Sequence, residues 1–159
     1  RKYLVQACSP ITGMSAEYAE FDGSPMSRKL GWSNDRHDWF YSDSYRTAAN
    51  IGLDYEWFGI DEGQCVAVDR LQEFLLEDAR RNQFHTYEIN GTVAQSDVLH
   101  PVAIIATVAQ GSLAANNPFT NEWIERFWNT PMRTGVRRYY DNCLYFFAFL
   151  ALSGKYRIW

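Results

Sequence analysis

Apolar positions along the 159-residue chain recur mostly three and four residues apart, the period of a helix packed on one side. The first such run, residues 1–8, opens without a cap and stops at Ser9-Pro10, so it reads as the last turns of a helix begun before residue 1. Residues 11–39 lose the period. Thr12-Gly13, Asp22-Gly23 and Ser24-Pro25 punctuate them, with Glu17-Tyr18-Ala19-Glu20-Phe21 as a short strand between turns. Loops of that length are usually functional or disordered, and the aromatics in this one favour order.

Helical spacing resumes over 43–58, ended by Gly59, and over 62–83, where Val66, Val68, Leu71, Phe74, Leu75 and Leu76 supply the buried face. Residues 86–89, closed by Asn90-Gly91, form a short extended piece. Residues 102–116 are rich in Ala and Ile, as a helix buried on most sides would be. Pro118-Phe119-Thr120-Asn121 caps a short helix over 122–128, and a last helix over 142–152 is stopped by Ser153-Gly154, leaving 155–159 extended. The pattern is therefore all-α in one domain, with long loops and minor short strands, and helices spaced as in stacked hairpins.

Composition narrows the partners. The longest apolar run, residues 143–152, falls short of the roughly 18–20 residues that span a bilayer. Net charge is -4 and the Lys and Arg residues are scattered, so neither a membrane nor a nucleic acid is an expected partner. Cys8, Cys65 and Cys143 are odd in number and far apart, and read as buried free thiols. His37, His85 and His100 lack ligand spacing, so no metal and no cofactor are expected. The compartment is weakly constrained.

What remains is a carboxylate behind an aromatic porch. Trp39-Phe40-Tyr41 runs into Ser42-Asp43-Ser44-Tyr45-Arg46, which puts Asp43 at a helix entrance with Arg46 on the same face and Asn50 and Asp54 continuing the stripe. Flat aromatic faces with polar groups between them suit a sugar site, with Tyr41 in its lining. Asp43 is open to two compatible readings: an N-cap accepting backbone N–H bonds, or a general base kept ionised by those donors and by Arg46. Arg46 reads as a structural ion-pair partner beside that base. His100, between Leu99 and Pro101, is as well suited to a structural hydrogen bond as to a ligand. Tyr139-Tyr140-Asp141 precedes the last helix as Tyr41-Ser42-Asp43 precedes an earlier one, with Asp141 as a further candidate cap.

The segments Phe40-Tyr41-Ser42-Asp43-Ser44-Tyr45-Arg46-Thr47-Ala48-Ala49-Asn50, Leu99-His100-Pro101-Val102, Phe127-Trp128-Asn129-Thr130-Pro131, Arg138-Tyr139-Tyr140-Asp141 and Leu152-Ser153-Gly154-Lys155-Tyr156-Arg157-Ile158-Trp159 resemble, in order, the C-terminal half of glycoside hydrolase family 8. Within it they are most similar to the reducing-end xylose-releasing exo-oligoxylanases. The resemblance implies the C-terminal half of an (α/α)6 barrel, residues 1–159 being part of a single catalytic domain that hydrolyses β-1,4-linked xylo-oligosaccharides with inversion. It implies Asp43 as general base, Arg46 supporting it, Tyr140 close to it, and the Leu99-His100-Pro101 turn closing the groove past the leaving-group sugar. The family's general acid, a Glu, belongs to the N-terminal half, which becomes the expected partner; the 159 residues alone are expected to be inactive. An endo-xylanase, β-glucanase or chitosanase is the alternative within the family, and a non-catalytic carbohydrate-binding helical module is the alternative outside it.

Overall fold

The structure is a computed structural model and describes residues 1–27 and 36–158. Six helices, α1 (Lys2–Ala7), α2 (Arg46–Phe58), α3 (Glu62–Arg81), α4 (Pro101–Gly111), α5 (Thr120–Asn129) and α6 (Arg138–Leu152), carry half of the described chain. Three short strands, β1 (Trp39–Phe40), β2 (Thr86–Glu88) and β3 (Val93–Gln95), form an antiparallel sheet in that order.

Helix α4 is the centre. Every residue from Ala103 to Gly111 is buried, so its Ala/Ile composition reflects neighbours on all sides: α2, α5 and α6 pack around it, and α3 touches it as well. The approach of α2 to α4 needs Gly52. A Cβ there would stand 2.3 Å from the Gln110 carbonyl oxygen, and Gln110 Nε2 donates to the Ala49 carbonyl at 3.0 Å across the same contact. Gln72 ties α3 into the core through Nε2, which donates to the Val108 carbonyl (3.1 Å) and Ser112 Oγ (2.8 Å).

The helical expectations hold, with shifts that have local causes. The helix expected from 43 starts at Arg46, because Ser42–Tyr45 coil more tightly as a 3-10 turn. Gly59 ends it in the left-handed region at φ 58°, as read from the sequence. Helix α3 is capped by Asp61, whose Oδ1 accepts from Gly63 N at 2.9 Å, and stops at Arg81, since Asn82 turns left-handed. Its buried face is supplied by Val68, Leu71, Leu75 and Leu76 but not Val66, which is 44% exposed. Helix α4 ends at Gly111, short of 116. Helix α5 starts two residues before 122 without a side-chain cap. Helix α6 begins four residues before 142, so Tyr139-Tyr140-Asp141 lie within it.

The strands organise more than the pattern suggested. Glu17-Tyr18 do not form a named strand, yet their N–H groups donate to the carbonyls of Trp39 and His37 at 2.9 Å each, which pins the long loop along β1. Part of that loop, and Trp159, lie outside the described residues. Among the described residues no helix is long and apolar enough to cross a membrane.

Candidate functional site

Strand β1 delivers the site. Phe40 pairs with Tyr87 in the sheet and is buried edge-on against Tyr45, ring centroids 5.0 Å apart, which fixes both ends of the segment between them. Inside it, Tyr41 N donates to Ser44 Oγ (2.8 Å) and Ser44 N donates back to the Tyr41 carbonyl (3.0 Å). Ser42 is forced to φ 40°, a conformation that costs a side-chain-bearing residue about 1–3 kcal/mol and that clusters at functional sites. That turn throws Asp43 outward. Its carboxylate meets Arg46 Nη2 at 2.9 Å, and Arg46 Nε donates to the Asp43 carbonyl at 3.3 Å.

The cap reading of Asp43 does not survive this geometry. Asp43 sits inside the 3-10 turn, and among the described residues no backbone N–H donates to its carboxylate. The side chain is 38% exposed, paired with Arg46 and with the Tyr140 hydroxyl beside it. The stripe expected to continue through Asn50 and Asp54 divides. Asp54 pairs with Arg1 at 2.7 Å and accepts from Gln64 Nε2 at 3.0 Å, and the Arg1 hydrogen bond holds its carboxyl below the usual range.

Tyr140 comes to Asp43 from α6. Its hydroxyl donates to the carbonyl of strained Ser42 at 2.9 Å, so the loop that aims Asp43 is pinned from across the fold. Burial, and then the charge of Asp43, push the phenol up, and it stays protonated at neutral pH. The opposite side of Tyr140 faces His100, ring centroids 4.5 Å apart. The Leu99-His100-Pro101 turn thus stands next to the Asp43 cluster, with His100 as the N-cap and Pro101 as the first residue of α4. Tyr41 and Arg46 flank Asp43 on its own segment.

Two features escaped the sequence. Asp141, expected to cap its own helix, instead caps α4: Oδ1 accepts from Ala103 N (2.8 Å), while Oδ2 meets His100 Nδ1 (2.8 Å) and Arg133 Nη1 (2.7 Å). Beside β1, Glu17 meets His37 at 2.7 Å, and Tyr18 stacks on the His37 ring at 4.5 Å. Neither set has a sequence signal: Asp141 meets Ala103 and His100 38 and 41 residues back, and Glu17 meets His37 20 residues on. The Asp43 and Arg46 side chains are 38% and 50% exposed. A groove of about 800 Å³ between α4 and α5 touches Pro101 but not Asp43, and another of about 600 Å³ runs along Tyr139, Cys143, Phe146 and Phe147 of α6.

No family model matches the chain. Curated proteins do. The chain is 50% identical over 159 residues to the reducing-end xylose-releasing exo-oligoxylanase Rex8A of Paenibacillus barcinonensis, covering 100% of this chain and 41% of that protein. It is 52% identical over 164 residues to the corresponding enzyme of Bifidobacterium adolescentis, covering 99% and 41%. Among solved structures, Rex8A complexed with xylose superimposes with a TM-score of 0.92 at 48% identity, covering 99% of this chain and 41% of that one. A further reducing end xylose-releasing exo-oligoxylanase gives 0.91 at 49% identity, covering 100% and 40%. The chain therefore spans about two fifths of the length of the relatives it matches, and in fold it corresponds to half of an (α/α)6 barrel. Residues 1–159 are homologous over their whole length to the C-terminal part of the reducing-end xylose-releasing exo-oligoxylanases of glycoside hydrolase family 8.

Proposed function

We propose that residues 1–159 form the C-terminal part of one inverting glycoside hydrolase domain, which removes xylose from the reducing end of xylo-oligosaccharides once joined by a segment equivalent to the rest of its relatives. The observation that carries this reading is the convergence of Asp43, Arg46, Tyr140 and His100 from three separate elements. Asp43 is the general base: its exposed carboxylate takes a proton from water as the water oxygen bonds to the anomeric carbon. The glycosidic C–O bond breaks on the opposite face, and the departing xylose oxygen receives a proton from a carboxylic acid on the other segment. Such a pair stands about 6.5–9.5 Å apart to admit the water. Arg46 holds the base in place, and the neutral Tyr140 phenol keeps the Ser42 turn that aims it. Tyr41 lines the approach. The Leu99-His100-Pro101 turn bounds the space for the leaving sugar, so that one xylose fits beyond the cleaved bond.

The other segment is needed on a second ground. Phe146 and Phe147 of α6 are exposed with Tyr139 on one helical side, an apolar surface suited to covering by more protein. The test is hydrolysis of xylotriose by the chain alone and by the chain combined with the N-terminal remainder of the Paenibacillus barcinonensis relative, followed by NMR at the anomeric proton. The combination is expected to release xylose and xylobiose, the new xylobiose end appearing first as the α anomer, while the chain alone stays inactive. Turnover by the isolated chain, or a β anomer appearing first, would refute the proposal. Mixed longer oligomers released from a long substrate would mark endo cutting.

A further inference from the structure

The sheltered acids of this fold differ in how well they are paired. Asp141 meets Ala103 N, His100 and Arg133, Asp78 meets the Tyr87 hydroxyl and the His85 ring, and Asp54 meets Arg1 and Gln64. Glu17 is treated differently. Its side chain is 10% exposed, less than the 16% of Asp78 or the 26% of Asp54. Yet among the described residues one group reaches its carboxylate, His37 Nδ1 at 2.7 Å. An ionised carboxylate accepts about four hydrogen bonds and donates none, so the ring supplies Nδ1–H and most of the capacity of Glu17 stays unused. Sheltering a charge with so few partners works against stability, as groups reserved for a ligand do.

The chain holds Glu17 beside Asp43. Its N–H donates to the Trp39 carbonyl at 2.9 Å, just upstream of Asp43, and Ser15 Oγ donates to Thr47 Oγ1 at 2.9 Å just downstream. The loop is thus tied to the Asp43 segment on both sides of the turn. The His37 ring is fixed as well, 6% exposed with Tyr18 stacked on it at 4.5 Å. Tyr45 and Tyr140 close the same region. Burial pushes both phenols up, and the charge of Glu17 is a further cause for each, as is the charge of Asp43 for Tyr140. Tyr140 therefore stands where both carboxylates act on it.

We infer that Glu17 is a substrate-binding residue whose unpaired oxygen accepts a hydrogen bond from a hydroxyl of the xylose unit bound against Asp43. This deepens the proposed function and rests on it. The ligand group is a pyranose hydroxyl acting as donor, which arrives only with substrate and supplies what no side chain among the described residues does. Glu17 belongs with the segment of Asp43 and not with the Leu99-His100-Pro101 turn. The sugar concerned is therefore the one that keeps the anomeric carbon, not the leaving xylose.

The test measures xylotriose binding by calorimetry in the combined protein carrying Asp43→Asn, which binds without cutting. Adding Glu17→Gln keeps a carbonyl to accept from His37 and puts an amide NH2 where the sugar hydroxyl would donate. It is expected to raise Kd by about 10-fold or more, the range for a lost hydrogen bond to a charged group. With Asp43 intact, Glu17→Gln is expected to lower kcat/KM by a similar factor. Its thermal melt is expected at or above that of the parent, because the substitution removes an incompletely paired charge. The same rise in Kd is expected for xylotriitol, in which only the leaving unit is altered; a rise confined to xylotriose would place the contact on the leaving sugar and overturn the assignment. An unchanged Kd with a lower kcat, or a melting point lowered by more than about 4 °C, would overturn the inference and leave Glu17 a structural partner of His37. Should Glu17→Gln fail to fold, Glu17→Asp, which keeps the charge but withdraws it by one methylene, decides by the same Kd. A combined parent that binds xylotriose through Glu17 but cuts none would condemn the functional reading and not the contact, whereas one that cuts xylotriose with a Kd indifferent to Glu17 would overturn the contact itself.

Discussion

Replacing Asp43 by Asn separates a base from a structural acid, because the geometry assigns the two roles very different magnitudes. On the structural side the loss is one ion pair, Asp43 with Arg46, between side chains 38% and 50% exposed. Exposed pairs of this kind contribute about 0–1 kcal/mol. A cap would add about 1 kcal/mol, but the carboxylate accepts no backbone N–H among the described residues, so that contribution does not enter. For a domain of this size 1 kcal/mol moves Tm by about 2–4 °C, so Asp43→Asn is expected to melt within about 4 °C of the parent. On the catalytic side, losing a general base costs about 100- to 10,000-fold in rate, or roughly 2.7–5.4 kcal/mol of barrier. The assay is xylose release from xylotriose by the combined enzyme, with a thermal melt of the same sample. Activity within about tenfold of the parent, together with a melting point lowered by more than about 4 °C, would refute the assignment and return Asp43 to a structural part.

Three further outcomes follow from other parts of the molecule. Gly52→Ala places a Cβ 2.3 Å from the Gln110 carbonyl oxygen and 3.0 Å from Gly111 Cα, both backbone. The helices must part, and urea unfolding is expected to show a loss of about 1–3 kcal/mol or more despite the better helix propensity of Ala. Phe146→Glu charges an exposed position of α6, so circular dichroism of the chain is expected to stay unchanged while its affinity for the remainder falls at least about tenfold by calorimetry, as burying an unpaired charge demands. Burial pushes the Cys8 thiol up to about 11. The folded state therefore keeps its proton longer than the unfolded chain, and the resulting stability is complete below about pH 8.5 and is lost as pH rises toward 11. Cys8→Ala is expected to flatten that alkaline decline in chemical denaturation measured from pH 8 to 11; an unchanged slope would count against it.

The parts of this fold that were legible in the sequence are those whose causes are local. Gly59 marks the end of α2 because a left-handed cap is decided within a few residues. The Asp43–Arg46 pair was visible for the same reason, being three residues apart. Helix α6 was misplaced at its start because Arg137 adopts φ 65° as its N-cap, a conformation that no propensity assigns to Arg. Once the helix begins there, Tyr139 and Tyr140 part ways, one 82% exposed and the other turned to Ser42. Asp141 was misread because its backbone partner lies 38 residues back, on another helix. The sheet was underestimated for a related reason: β1 is two residues long and owes its burial to pairing with β2 rather than to its own pattern.

The position of Leu99-His100-Pro101 bears on how such a protein can change. This turn is no detachable loop: it leads directly into the helix around which the rest of the chain is assembled, whose start is capped by a buried acid. An insertion in the turn would pull the start of that central helix away from the acid that caps it. Change at this position is therefore tied to the integrity of the core, and the two would be inherited as one trait.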